Sequence, residues 1–111
     1  MAVTVKVLIP SKNAENSQTT QYTATNVTTI IDKFTATNYT LVAAVISVNL
    51  VTLAGSAADA NVITKTKTLQ SLETYTFPEI VGHSLAPGGF ISTLAGTATA
   101  ISIRASGREV S

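Results

Sequence analysis

Thr, Val and Ile supply 39 of the 111 residues, 19, 11 and 9 respectively, and this excess limits the possible folds more than any other feature of the chain. A side chain branched at Cβ is stiff at χ1, crowds the preceding turn of a helix and fits a pleated, half-buried surface. Apolar residues never gather at the three-and-four spacing of an amphipathic helix, and the best candidate, Ala57 to Ala60, is too short to form one. An all-β fold is therefore expected: a single β-sandwich domain over residues 1–111 with about eight short strands.

Alternation places those strands. Val3, Val5, Val7 and Ile9 alternate with Thr4, Lys6 and Leu8 until Pro10 and Ser11 interrupt the run, and residues 11–20 read as a polar surface loop. A weak strand follows at Gln21 to Thr25. From Val27 to Tyr39, Ile30, Phe34 and Ala36 share one face with Asp32 between them, and Ile31, Lys33, Thr35 and Thr37 take the other, while Asn38 is placed to bend the chain. Leu41 to Leu53 is apolar in both alternating sets, the pattern of a strand covered on both sides. After a small, polar loop from Gly55 to Asn61, Val62 to Thr68 puts Ile63, Lys65 and Lys67 on one side, and Leu69 to Glu73 reads as a turn. Thr74 to Phe77 and Glu79 to His83 flank Pro78, which cannot donate to a ladder. The turn Ala86-Pro87-Gly88-Gly89 leads into Phe90 to Leu94, and Ala98 to Ala105 closes the sheet with Ile101 and Ile103 inward and Arg104 outward.

Composition removes several classes of function. Charged residues make up 12% of the chain, with a formal net charge of +1, about half the usual share. Nucleic-acid binding by phosphate neutralisation needs many more Lys and Arg than that. Without Cys there is no disulfide framework, thiolate zinc site, iron–sulfur cluster or cysteine nucleophile. The uncharged stretch from Phe34 to Ala58 holds only nine Phe, Leu, Ile or Val residues, whereas a membrane-spanning helix needs about 20 predominantly apolar positions in a row. No membrane partner is expected. Met1 to Ile9 carries Lys6 and has no continuous apolar run, so synthesis in the cytoplasm without export is the expectation. In that setting the glycosylation-like triplets Asn26-Val27-Thr28 and Asn38-Tyr39-Thr40 carry no weight.

The search for chemistry is mostly negative. There is no P-loop, no His-Glu-x-x-His and no dinucleotide fingerprint. Gly82-His83-Ser84-Leu85-Ala86 approaches a nucleophile elbow but lacks the final Gly and a following helix. A triad of His83, a serine and Asp32 or Asp59 can be sketched, yet a loop histidine satisfied by backbone is the preferred reading. The carboxylates Glu15, Asp32, Asp59, Glu73, Glu79 and Glu109 are scattered and form neither a calcium loop nor a glycosidase pair. Pro87-Gly88-Gly89, a conceivable anion cradle, reads as a plain turn. No catalytic, cofactor-binding or metal-ligating residue is assigned, no cofactor is expected, and an enzyme is the class least expected.

What remains is surface. The doubly apolar 41–53 stretch in a chain with few charges suggests a face covered by another chain, hence a homo-oligomer or a docked partner. Lys65 and Lys67 could meet an acidic partner, although alternating lysines more often keep an exposed strand soluble. Polar or charged termini flanking apolar strands, Val3 to Ile9 and Arg104 to Val110, can reach across to a neighbour. The partner-contact candidates are Val3, Val5, Val7, Lys65, Lys67, Arg104 and Arg108.

Three segments carry a resemblance: Ile31-Asp32-Lys33-Phe34-Thr35-Ala36-Thr37-Asn38; Glu79-Ile80-Val81-Gly82-His83 with Leu85-Ala86-Pro87-Gly88-Gly89-Phe90-Ile91-Ser92; and Ile103-Arg104-Ala105-Ser106-Gly107-Arg108-Glu109. With the length and layout of the whole chain, they resemble small virion proteins of tailed bacteriophages, the capsid decoration or cement proteins of epsilon15-like short-tailed phages. The resemblance implies a jelly roll or related β-sandwich on the outer capsid surface that clamps neighbouring major capsid subunits. It carries no catalytic residues. Two other classes stay open: a head–tail connector or tail accessory protein, which would form a ring, and a carbohydrate-binding sandwich module, for which exposed aromatics are scarce.

Overall fold

A computed structural model describes residues 2–111. Among them nine strands form: β1 (Val3–Asn13), β2 (Thr19–Thr23), β3 (Thr28–Asn38), β4 (Ala44–Val51), β5 (Val62–Leu69), β6 (Thr74–Tyr75), β7 (Ser84–Leu85), β8 (Phe90–Ala95) and β9 (Ile101–Val110). One turn of 3-10 helix, Asp59–Asn61, lies between β4 and β5. No helix of the described residues is long and apolar enough to cross a membrane.

The pairing is that of one long antiparallel ribbon folded over on itself. β4 and β5 are its closed end; β3 then pairs with β6 and β7, β2 with β8, and β1 with β9. Successive pairs fall alternately into two sheets, which β3·β9 and β4·β8 complete. The sheets run β1-β9-β3-β6, with β7 also on β3, and β2-β8-β4-β5. An antiparallel ribbon wrapped into two sheets in this way is a jelly roll. The all-β sandwich expected from the β-branched excess is therefore present.

Its core is built from branched aliphatics. Ile31, Ile101 and Ile103 of one sheet face Ile46, Val48 and Ile91 of the other, all essentially inaccessible to water. Each such side chain contributes about 1.5–3 kcal/mol by leaving solvent. Phe34 and Phe77 meet edge to face, with ring centroids 4.8 Å apart.

Four local expectations are corrected. In β3, Ile31 pairs with Gly107 and Lys33 with Ser106, which leaves Asp32 as an extra residue. This bulge shifts the alternation by one, so Ile31 joins Phe34 and Ala36 inside while Ile30 is only half-buried. β1 continues through Pro10 to Asn13, because an edge strand tolerates a missing N–H and absorbs it in register shifts around Ile9. Glu79 to His83 is a run of turns and no strand: Ile80 N–H donates to the Phe77 carbonyl and His83 N–H to that of Ile80, both at 3.0 Å. Positive φ at Phe77 (+46°) and Gly82 (+95°) reverses the chain there. Finally, β9 runs to Val110 instead of stopping at Ala105, and it occupies the middle of its sheet between β1 and β3.

Two tyrosine–glutamate pairs close the sides of the sandwich. On one side Tyr75 Oη and Thr64 Oγ1 donate to Glu79 (both 2.6 Å), and Lys67 Nζ stands 4.6 Å from the Tyr75 ring centre. Burial opposes ionisation of Glu79, but the two hydroxyls, a backbone hydrogen bond and the Lys67 charge together outweigh it and hold the carboxyl below its ordinary range. On the other side Tyr22 Oη donates to Glu109, which Lys6 also approaches at 3.3 Å. The single Tyr22 proton being used there, Thr29 Oγ1 donates to Tyr22 at 2.6 Å. Burial, helped by Glu109, pushes Tyr22 from 10.0 up to about 12. The stability contributed by neutral Tyr22 is thus complete below pH 10.0 and lost as pH rises through about 12. Glu109 runs the other way: the Tyr22 hydrogen bond lowers its pKa below 4.5, so its contribution is present above 4.5 and lost as pH falls through the folded-state value. In an alkaline titration followed by tyrosinate absorbance, one tyrosine should ionise near about 12 and Tyr22→Phe should remove that step. A wild-type curve lacking the late step would contradict the network.

Candidate interaction surface

Residues directly opposite one another in a sheet share a face, so the register assembles the outer face of the β1-β9-β3 sheet row by row. Val3, Val110 and Thr28 form one row; Val5, Arg108 and Ile30 the next; Val7, Ser106 and Lys33 the third. The valines are open to solvent, 57%, 82% and 42% exposed respectively. Arg108 lies in the middle of this patch and grips Asp32 with two hydrogen bonds of 3.0 Å, Nε to Oδ2 and Nη2 to Oδ1. A surface pair of this kind adds at most about 1 kcal/mol to stability, but it neutralises the one guanidinium in the apolar patch. Further along, the face turns to hydroxyls and amides. Arg104 reaches Ser11 (3.3 Å), Thr37 bonds Thr74 (2.9 Å), and Tyr39 Oη donates to Asn13 (2.8 Å). β1 is also a free edge: over Val3 to Val7 its register is regular and its backbone pairs on one side only.

Of the seven partner-contact candidates, the fold brings five together on this face: Val3, Val5, Val7, Arg104 and Arg108. Lys65 and Lys67 lie elsewhere, and not on one side as their spacing suggested. Thr66 takes φ +46° and the β4–β5 register slips between Thr64 and Lys67, so the alternation breaks between the two lysines. Lys65 bonds Asp59 at 2.8 Å, while Lys67 lies over Tyr75 of the opposite sheet.

The termini are not free arms. Ala2 and Ser111 exchange backbone hydrogen bonds of 3.1 and 2.9 Å, extending the β1–β9 ladder. Each segment is thus held in the ladder by the other, while the outer edge of β1 stays open. The 41–53 stretch contains a strand covered on both sides, as its doubly apolar pattern suggests. β4 is a central strand whose second face is covered within the chain: Asn49 donates to the Ala58 carbonyl (3.0 Å) and to Asn61 Oδ1 (2.7 Å), bringing the β4–β5 loop over it. The solvent-facing apolar residues of the stretch flank the strand: Leu41, Val42 and Leu53.

The sketched chemical sites are dispersed. Asp32 is held by Arg108 and Asp59 by Lys65, and His83 is exposed, its backbone carbonyl accepting from Ile31 N–H at 2.9 Å. In the Pro87-Gly88-Gly89 turn both glycine N–H groups are used within the chain, Gly88 to the Ala24 carbonyl (2.6 Å) and Gly89 to that of Ala86 (2.8 Å), so neither is directed at an anion. Among the described residues no group of three or more His, Asp or Glu is placed to hold a metal ion.

Sequence reasoning missed the exposed Leu41, Val42 and Leu72. The signal for the first two is Asn38: a bend there implies that a loop follows it. Compared with family models, curated proteins and solved structures, the chain matches none.

Proposed function

We propose that this is a structural virion protein that binds the outer surface of a phage capsid and stabilises it by clamping neighbouring major capsid subunits. The observation that carries the reading is the Val3-Val5-Val7 patch on the jelly roll: three exposed valines around a guanidinium that Asp32 neutralises, bordered in the third row by the exposed Lys33. A cement protein needs no chemistry. It binds the assembled shell and not the separated subunits, so mass action transfers its binding free energy to the shell, and the effect accumulates over many copies. The flat patch suits a broad contact, and the free β1 edge can extend a neighbour's sheet. That edge offers the same pairing to a second copy of the chain. The proposed location is the outer face of the virion, after synthesis in the host cytoplasm.

Co-sedimentation of the purified protein with expanded phage heads that lack it, with unexpanded heads as control, tests the proposal. Saturable binding to the expanded shell with raised heat resistance is expected. Absence of binding, with a defined ring in solution, would instead assign the protein to the neck or tail.

A further inference from the structure

The two sheets pack inner face to inner face, so their outer faces look in opposite directions. The valine patch lies on one of them, and the other carries a small polar hollow. Along β4, Ile46 and Val48 point into the core, so Ser47 and Asn49 point out of it. The register sets Leu94 of β8 beside Ser47, and Ser92 beside Asn49. Over them lies the β4–β5 loop, tied down by Asn49 Nδ2, which donates to the Ala58 carbonyl (3.0 Å) and to Asn61 Oδ1 (2.7 Å). Loop and sheet enclose a hollow of about 170 Å³. At roughly 30 Å³ of liquid per water molecule, it has room for one small molecule.

Two side chains on its floor have hydrogen-bonding capacity to spare. Asn49 is 4% exposed and Ser47 9%. The loop takes both Nδ2 protons of Asn49, which fixes the orientation of the amide, and no donor among the described residues reaches its Oδ1. Every fully buried side-chain N or O atom of the described residues has a partner, so this unpaired oxygen is the atom that Asn49 opens to the hollow it lines. Ser47 Oγ accepts from Thr66 N–H at 2.7 Å and keeps its own proton unused. The floor thus presents one acceptor and one donor, each on a side chain more than nine-tenths buried. An amide oxygen held in this way calls for a donor from outside the chain.

The inventory of groups selects the ligand class. At the mouth, Lys65 and Asp59 bond each other at 2.8 Å, which occupies one ammonium proton and one carboxylate oxygen and leaves the others available. Their charges cancel, so the hollow favours neither an anion nor a cation. Gln18, its Nε2 spent on Ser92 (2.8 Å), adds a free Oε1. Leu94 and Val62 supply an apolar wall. A neutral ligand with C–H surface for that wall, and with groups that both donate and accept, satisfies all of these at once. Adjacent hydroxyls on a sugar ring are such groups. Side chains two apart on a strand stand roughly 7 Å from each other, which lets Asn49 accept from one hydroxyl while Ser47 donates to another.

We infer that this hollow binds a single neutral sugar residue. The site is complete within one chain and stands independently of the capsid reading. Where that reading holds, docking by the valine face turns the sugar site away from the shell, toward the medium. The hollow has no aromatic platform, so a few hydrogen bonds carry the contact and affinity falls in the millimolar range. Many copies on one shell then bind a polysaccharide through avidity.

The test is a titration of the isotope-labelled full chain with glucose, galactose, mannose and N-acetylglucosamine in turn, followed by NMR on the side-chain amides of Asn49 and Gln18. At least one sugar should shift them saturably at millimolar concentration. Ala57→Leu, which fills the hollow from its rim without removing a hydrogen bond of the floor, should weaken that binding at least about tenfold, with the melting temperature within a few degrees of wild type. Should it melt lower, Ser47→Ala carries the test with the same expected loss, since water can replace its bond to the exposed Thr66. No saturable shift with any of these sugars would overturn the site, as would equal binding by wild type and a folded filled variant. Acetate or phosphate bound there in preference to every sugar would overturn the ligand class.

Discussion

Gly107→Ala should all but abolish folding. Gly107 is buried in the central strand β9, paired with Lys6 of β1 on one side and Ile31 of β3 on the other. A Cβ placed there would press into the backbone carbonyl oxygen of Ile30 and come within 2.9 Å of Leu8 Cδ1. The Leu8 methyl can rotate away, but the Ile30 carbonyl is held in its ladder. Relief therefore requires β9 and β3 to separate where the sheet is already bent by the bulge at Asp32. A cost of about 4 kcal/mol or more is expected, a large part of the stability of a domain of this size. In thermal melts this is a fall on the order of 20 °C or no cooperative transition. A variant melting within a few degrees of wild type would contradict the sheet register.

Val5→Lys should do the opposite, sparing the fold and removing the proposed function. Val5 is 82% exposed, and an exposed substitution of this kind changes stability by about 0.5 kcal/mol at most. Seated against a capsid subunit, the same position would lose the burial of a valine, about 1.5 kcal/mol, and would have to desolvate an ammonium group beside Arg108. Desolvating an unpaired cation costs several kcal/mol. Affinity for heads should fall at least about a hundredfold, with the melting temperature within a few degrees of wild type. Val5→Thr, similar in shape and uncharged, should lose far less. Equal binding by wild type and Val5→Lys would remove this face from the interface.

Much of the fold was legible in the sequence because β-branched content and alternation report directly on pleated, half-buried chain. β3, β5 and β8 lie within a residue or two of where alternation put them. What escaped was local and has a common cause: a bulge or a left-handed residue resets the alternation without marking the sequence. Asp32 reversed the phase of β3, and Thr66 separated Lys65 from Lys67. Gly107 is a different kind of miss. Alternation ends the strand at Ala105, yet Gly107 permits close approach of a neighbouring backbone, and the strand continues three residues beyond it.

The contact surface was partly legible. Period-two valines at 3, 5 and 7 identify one strand face, but whether that face lies inside or outside depends on which sheet covers it, and no local pattern encodes this. The partnership of Arg108 with Asp32 spans 76 residues and exists only through the β3–β9 register. The exposure of Leu41 and Val42 was hidden for a similar reason. They continue an apolar run that belongs to a central strand, and only the hydrogen bonds of Asn38 separate them from it.

Electron cryomicroscopy of expanded heads saturated with the protein tests the central claim most directly. The account predicts jelly-roll density on the outer surface across the boundary between neighbouring capsid subunits, with the Val3-Val5-Val7 face turned toward the shell. Heads that show no added outer density, or density confined to a ring at the portal vertex, would contradict it.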